Sequence, residues 1–352
     1  MTDSQAALAV VVVTYRSAAV APRNLARLFE QLDERDELLV VDNASNDGTA
    51  DAIRTAVPRA RILEQLRNLG FAAGCNIGAA ASSAPLLLFL NPDAVPEPGC
   101  VESLRVAAAQ RPDWGAWQAL VTMPGGGHVN TSGGITHFSG IGWAGACGEP
   151  VTAVAAEPYE VSFASGAALV VRREAWERVG GFDERYFMYG EDLDLSLRLW
   201  LAGLKVGIVP SARVEHEYEF EKGGRKWFLL ERNRWWTVLS DYPAALLALL
   251  APALLGLELV ILLAAARGGW LGQKLRAQLS VVLGLPAILA RRRRVQRART
   301  VGSAELARRL SADLSSPFLP PAARSGPAAD LQRAYWAGVR WLLNAGGAGR
   351  GC

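Results

Sequence analysis

The sequence predicts an α/β protein, a mainly parallel sheet carrying helices on both faces, with a group of apolar helices appended at the carboxyl end. Short β-branched or leucine-rich runs alternate with helix-period segments as far as Leu90, the rhythm of strand–helix–strand units. Unusual polar residues gather just behind those runs, where loops at the carboxyl ends of parallel strands hold ligands. Beyond about Tyr242 acids become sparse, and long apolar stretches and arginines take over. The 352 residues suffice for one large domain plus an appendage. The composition shift divides them into a region 1–240 and a helical region 241–352.

Taken in order, Leu8 to Val13 is a β-branched run suited to a strand buried on both faces. The next segment sets Leu25, Leu28, Phe29 and Leu32 on one helical face. Leu38 to Val41 forms a second strand, ending in Asp42-Asn43-Ala44-Ser45-Asn46-Asp47-Gly48-Thr49, and a helix follows over Thr49 to Thr55. Arg61 to Glu64 is a third strand, Phe71 to Ser82 a helix, and Leu86 to Leu90 a fourth strand. From Gly115 to Pro150 glycine is frequent and periodicity weak, which predicts loops and short strands. A helix begins near Arg173, another covers Glu191 to Leu201, and Val206 to Val209 is a short strand. Trp227 to Leu239 is aromatic and basic, and Ala244 to Ala266 is nearly continuous apolar sequence with Glu258 as its one charge.

Apolar residues make up 51% of the chain and charged residues 20%, a balance that excludes an intrinsically disordered protein. The net charge of +3 conceals the block Arg291-Arg292-Arg293-Arg294 with Arg297 and Arg299. Beside apolar helices such a block points to anionic lipid, and no nucleic-acid-binding signature accompanies it. Cys75, Cys100, Cys147 and Cys352 form no CxxC pair. Neither a zinc site nor a disulfide framework is therefore expected, only thiols in a reducing compartment. Ala6 to Val13 has no basic region before it and runs into Thr14-Tyr15-Arg16. It reads as a strand rather than a signal peptide, so a cytoplasmic protein is expected.

Each polar cluster has a plain structural reading beside a chemical one. Asp42 to Thr49 uses the residues of turns and helix caps; alternatively, Asp42 accepts a hydrogen bond from the N–H of a uracil or thymine base. Asp93, in Asn91-Pro92-Asp93, is either a loop acid or an oxygen ligand for Mg²⁺ or Mn²⁺ at a diphosphate. The acids of Glu191-Asp192-Leu193-Asp194 complement a helix dipole. A carboxylate among Tyr186, Phe187 and Tyr189 would also have a raised pKa and could take a proton from a hydroxyl. Asp194 is expected to pair with Arg198 at i+4. His128 and His137 lie in glycine-rich sequence and read as surface residues. His216, beyond the acidic pair, is either structural or a third contact to the metal or diphosphate. Arg225, Lys226, Arg232 and Arg234 either close over phosphates or form a basic membrane face.

The motifs Val11-Val12-Val13-Thr14-Tyr15, VDNASNDGT, NLGFAAGCNIGA, FLNPDA and SGAALVVRREAWERVGGFDERYFMYGEDLDLSLRL occur in this order. Together they resemble family 2 glycosyltransferases over about residues 8 to 240, most of all the bacterial rhamnosyltransferase-type branch. The resemblance implies a GT-A fold, a Rossmann-like nucleotide-binding sheet, and an inverting, metal-assisted single displacement from a nucleotide-diphosphate sugar. It implies that Asp42 binds the base, that Thr14, Tyr15 and Arg16 line its pocket, and that Asn68, Asn76 and Asn91 belong to the donor site. Asp93 matches the last acid of the family's DxD motif, whose first acid is here Asn91. Asp192 matches the general base, Ser165, Gly166 and Glu191 the acceptor-facing stretch, and His216 a metal or diphosphate contact. The donor it implies is dTDP-L-rhamnose, with UDP- and GDP-hexoses as alternatives.

Ala244 to Ala266 would extend roughly 34 Å as a helix, enough to cross a bilayer, but Pro252, Gly256 and Glu258 interrupt it. One crossing would also separate the arginine block from the catalytic region, both of which belong on the cytosolic side. Helices lying in or dipping into the cytoplasmic face of the plasma membrane are therefore expected, aided by Trp235, Trp236, Trp270 and the arginines. A dimer interface is the competing use of the same surface. A membrane location suggests a polyprenyl-diphosphate-linked acceptor in cell-envelope glycan synthesis. A non-catalytic sugar-nucleotide-binding protein is the rival from another class, disfavoured by the joint presence of Asp93 and Asp192. A nucleotidyltransferase lacks the glycine-rich, lysine-containing loop it would need after the first strand.

Overall fold

The computed structural model describes residues 6–216, 223–315 and 325–348. They form two compact units. The first lies within Met1–Gly134, Ala144–Leu199 and Leu204–Tyr218; the second lies within Ile135–Trp143, Trp200–Gly203 and Glu219–Cys352.

The first unit opens with β1 (Leu8–Thr14), α1 (Ala21–Phe29), β2 (Glu37–Asp42), α2 (Thr49–Ala56), β3 (Arg61–Glu64), α3 (Phe71–Ala80) and β4 (Leu86–Leu90). The four strands pair in parallel in the order β3-β2-β1-β4. Every residue of β1 and β4 is buried, which is why their sequences are continuous apolar runs rather than alternating ones. Helix α3 is built from small residues because it lies hard against β1. A Cβ on Gly78 would stand 2.3 Å from Val11 Cγ1.

Beyond β4 come β5 (Ala94–Pro96), α4 (Cys100–Gln110), β6 (Trp114–Thr122), β7 (Val129–Thr131), β8 (Gly134–His137), β9 (Gly142–Ala144), β10 (Tyr159–Glu160), β11 (Ala168–Arg172), α5 (Arg173–Val179), α6 (Glu191–Leu201) and β12 (Lys205–His216). The sheet runs β10-β12-β6-β11-β4-β1-β2-β3, with β5 beside β12 and β7 beside β6. Strand β11 is antiparallel to both neighbours, so the sheet is mixed. Strand β6, but for Trp114, lies inside the stretch expected to hold loops and short strands, yet all nine of its residues are buried. The glycines of Pro124-Gly125-Gly126-Gly127 dominate that window and mask the apolar run before them. Strand β12 continues past Val209 to His216 because a register shift between Val209 and Arg213 accommodates Pro210.

The second unit contains α7 (Gly223–Asp241), α8 (Ala244–Arg267), α9 (Leu271–Leu283), α10 (Leu285–Ala298), α11 (Ser303–Ala307), β13 (Leu310–Ser311) and α12 (Pro327–Ala348). Strand β13 forms a small sheet with β8 and β9, most of whose residues also belong to this unit. Glu258, midway along apolar α8, is not a stray charge. Together with Glu231 of α7 it accepts hydrogen bonds from Lys274 of α9 and Arg234 of α7. Lys274 is fully buried. Burial pushes both carboxyls up, but Arg234 and Lys274 more than reverse it and hold them below the usual range. Removing Lys274 should leave two buried carboxylates sharing the single cation Arg234. Lys274→Met is expected to destabilise the protein by about 3–5 kcal/mol, read from urea unfolding of the whole chain.

Three sequence expectations change here. Trp236 is buried, and Trp235 turns its Nε1 inward to donate to Glu258, so neither is a membrane anchor. Arg291 leaves the basic block to pair with Asp241 inside the unit, and Arg292 donates to the carbonyls of Leu239 and Tyr242. His137 is fully buried rather than on the surface. Burial lowers its imidazole to about 4, and it meets Ser139 Oγ at 2.7 Å and the Gln332 amide at 2.8 Å.

Candidate active site

Strand pairing brings the predicted site residues of the first unit to one edge of its sheet. Thr14 and Asp42 are partners at the carboxyl ends of β1 and β2. Leu90, the last residue of β4, pairs with Ala168, the first of β11. Asn91-Pro92-Asp93 and Ser165-Gly166 therefore meet at the same edge, and Asn91 N donates to Ala167 O at 3.1 Å. Because β4 and β2 flank β1, the edge contains a point where strand order reverses, the usual ligand position in open α/β sheets. Asp42 and Asn91 are two strand spacings apart, roughly 10 Å.

Asp42 is buried and accepts from Thr14 Oγ1 at 2.9 Å, from Ser45 N at 3.0 Å and from Ser45 Oγ. Three of a carboxylate's roughly four acceptor positions are taken, leaving one on Oδ2 for an incoming N–H. Arg16 adopts φ 55°, donates its N–H to Ser45 Oγ and holds its guanidinium over the Tyr15 ring at 5.3 Å; both side chains are exposed. Asn68 caps Gly70 N at 2.9 Å. Asn76, expected near the nucleoside, is occupied elsewhere: its amide donates to Phe182 O and Glu184, and its oxygen accepts from Phe182 N.

At the metal candidate, β5 pairs with β12 so that His216 faces Ala94. His216 Nε2 consequently lies 3.1 Å from Asp93 Oδ1 and 3.3 Å from Asn91 Nδ2. The imidazole is buried and the carboxylate partly open, with 36% of its side chain exposed.

The third group is built on the start of α6. Gly166 N donates to Asp192 Oδ2 at 3.0 Å and Leu193 N to Oδ1 at 2.8 Å. Burial raises the Asp192 carboxyl, and these two N–H groups work against that rise. Asp194 pairs with Arg198 at 2.7 Å and accepts from Tyr186 OH, the i+4 contact that the spacing predicts. Glu191 differs from Asp192: only 6% of it is exposed, and its Oε2 is buried without a hydrogen-bond partner. Burial and then the Asp192 charge hold its carboxyl well above the ordinary Glu value. Glu191 thus points into the protein rather than towards an acceptor.

A raised folded-state pKa means the folded chain binds more protons than the unfolded one between the two values, so stability falls as pH rises through that window. Glu191→Gln should remove this contribution. Its melting temperature is expected to exceed that of the wild type in neutral buffer and to converge with it in acid.

Arg232 and Arg234 belong to the other unit. Arg232 donates to Asn233 Oδ1 and lies over the Phe228 ring. Arg234 is buried in the ion cluster described above and is not available to a phosphate.

Several site-forming residues are absent from the sequence reading. Asn43 donates to Gly70 O and accepts from Leu69 N, tying the Asp42 loop to the loop after β3. Gly70, at φ +89°, is required by close approach: a Cβ there would be 2.5 Å from Phe187 O. Buried Gln118 accepts from Ser165 N at 2.7 Å; its signal was an amide in the middle of an apolar run.

Comparison with known proteins agrees with this architecture. Residues 9–180 match the profile "Glycosyl transferase family 2", and residues 152–222 match "N-terminal domain of galactosyltransferase". The chain is 36% identical over 248 residues to the N-acetylglucosaminyl-diphospho-decaprenol L-rhamnosyltransferase of Mycobacterium tuberculosis, covering 63% of this chain and 79% of that protein. Among solved structures it resembles GalNAc-T7 with UDP, GalNAc and Mn²⁺, at a TM-score of 0.57 and 18% identity, over 68% of this chain and 48% of that one. It also resembles the mannosyltransferase PcManGT of Pyrobaculum calidifontis in complex with GDP-Man and Mn²⁺, at a TM-score of 0.50 and 17% identity, over 87% of each chain. At such identities the two structures bear on the GT-A fold alone. The chain belongs to glycosyl transferase family 2 and is a glycosyltransferase of the rhamnosyltransferase-like kind.

Proposed function

We propose that this enzyme transfers L-rhamnose from dTDP-L-rhamnose, with inversion, to a hydroxyl of a polyprenyl-diphosphate-linked glycan at the cytoplasmic face of the plasma membrane, in cell-envelope glycan synthesis. The name of the mycobacterial relative supports the sugar and the lipid-linked acceptor. The observation that carries the chemistry is the order of groups along one sheet edge: Asp42, then Asn91 and Asp93, then Gly166 holding Asp192.

In this reading Asp42 accepts from the N–H of the base, flanked by Thr14, Tyr15 and Arg16, with Asn68 in the loop beside it. Asp192 removes the proton of the acceptor hydroxyl. The oxygen then attacks the anomeric carbon on the face opposite the diphosphate, the bond to the leaving phosphate oxygen breaks, and the proton remains on the carboxyl. Two backbone N–H groups keep the Asp192 oxygens aimed. Ser165 lies beside Gly166 on the acceptor side.

Asp93 and His216 fit a divalent ion. The carboxylate oxygen suits Mg²⁺ and Mn²⁺ alike, and the imidazole nitrogen favours Mn²⁺. Among the described residues no third His, Cys, Asp or Glu joins them, so diphosphate oxygens and water would complete the shell. When bound, such an ion neutralises charge on the departing diphosphate.

A thermal-shift screen of dTDP-, UDP- and GDP-sugars with Mn²⁺ or Mg²⁺ tests the donor, because a ligand bound only by the folded state raises the melting temperature. dTDP-L-rhamnose is expected to give the largest rise. A larger rise with a UDP- or GDP-hexose reassigns the donor, and no rise with any of them ends the nucleotide-sugar reading.

A further inference from the structure

Helix α8 has 24 residues and a mean hydropathy of 2.6 over its most apolar window, but only 17% of that window is buried. Its inward stripe is Leu246, Leu250 and Leu254, continued by Glu258, at i+4 spacing. The opposite stripe, Leu255, Leu259 and Leu263, is more than half exposed in each residue, as are Leu279, Val282 and Leu283 of α9. Monomeric proteins seldom leave so much aliphatic surface in water.

Charge says what covers it. Residues 244–299 contain nine Arg and Lys against one acid, Glu258, and that acid is neutralised internally by Lys274 and Arg234. Arg293, Arg294, Arg297 and Arg299 at the end of α10 are exposed. A second copy of this surface would oppose like charge with like charge. An anionic lipid headgroup layer complements it.

The ion cluster also decides orientation. It pins the middle of α8 to α7 and α9. Helix α9, at 13 residues, is roughly 20 Å long and too short to cross a bilayer core of about 30 Å. A helix fastened at mid-length to one that cannot cross is held on the same side of the membrane.

We propose that the exposed face of α8 and α9 inserts into one leaflet of an anionic bilayer, with the arginines at the end of α10 among the headgroups and α8 lying along the interface instead of spanning it. The surface serves the lipid-linked acceptor and rests on that reading for its purpose.

Flotation of the whole protein with preformed vesicles tests it. The wild type is expected to float with phosphatidylglycerol-containing vesicles. Leu259→Glu with Leu263→Glu should abolish flotation. Arg293→Ala with Arg294→Ala and Arg297→Ala should weaken partition to anionic vesicles roughly a hundredfold, at about 1 kcal/mol for each arginine, and leave weak binding to phosphatidylcholine unchanged. Retained melting behaviour shows that the variants fold. A wild type that stays with the dense fraction, or a leucine variant that floats as before, overturns the proposal. So does a lipid-free dimer that the leucine substitutions dissociate, since the face would then be covered by a second copy.

Orientation has its own readout. With protein added from outside, an impermeant maleimide enclosed within the vesicles should reach neither Ala245→Cys nor Gly269→Cys; labelling of either end shows a crossing and overturns the flat placement. Transfer to a water-soluble acceptor, measured in parallel, separates the two readings. Transfer without flotation removes the docking surface and leaves the reaction standing, whereas flotation without transfer supports the surface and removes the reaction.

Discussion

Asp192→Asn is expected to lower kcat by about a hundredfold to ten-thousandfold, the usual contribution of a positioned general base, while the donor-induced rise in melting temperature is kept. The amide has no basic oxygen to take the acceptor proton. The position suits an acid proposed for that role. The N–H groups of Gly166 and Leu193 hold its two oxygens, and burial raises its pKa above the ordinary Asp value of 3.8. A raised value improves proton acceptance but narrows the working range, because the reactive form is the carboxylate. Activity should therefore fall as pH drops through the raised pKa, placing the acid limb of the rate profile above that of an ordinary Asp. Asparagine must also turn an NH₂ towards one of the two N–H donors, so the melting temperature of the variant should be checked before its rate is read. Turnover near that of the wild type in a folded Asp192→Asn protein would move the base to another residue.

Asp93→Ala should lower kcat by roughly a hundredfold to a thousandfold, comparable to losing one preorganised group that stabilises a developing charge. The loss should come with a changed metal response. The wild type is expected to stop with a chelator and recover with Mn²⁺, and the variant to need far more Mn²⁺ for half its maximal rate. His216→Ala should shift the same titration in the same direction by less, since it removes a neutral ligand and not a charge. If the Asp93→Ala titration superimposes on that of the wild type, the ion binds elsewhere or not at all.

These expectations draw on a site that was half visible in the chain. Asp42 and Asp93 stand at the ends of β-branched and leucine-rich runs, and a carboxylate directly after a buried strand is conspicuous without coordinates. Asn43, Gln118 and the approach of Gly70 to Phe187 were not visible, because each is defined by a partner distant in sequence. Asn76 shows the opposite error. A motif position can resemble a ligand contact while its amide satisfies the backbone of Phe182.

What the sequence determined by itself was local: the strands β1, β2 and β4, the helices α1, α2 and α3, and the Asp194–Arg198 contact one helical turn apart. Such features follow from side-chain periodicity and backbone preference over a few residues. Only tertiary structure decided that β11 runs antiparallel between β4 and β6, which sets Gly166 against Asp192. Only β5–β12 pairing brought His216 to Asp93 across 123 residues. A charge also reads the same in sequence whether it meets water or a buried partner. Arg234 and Arg291 turned inward while Arg293 and Arg294 stayed outside, because burying an ion requires a counterion that only the folded chain supplies.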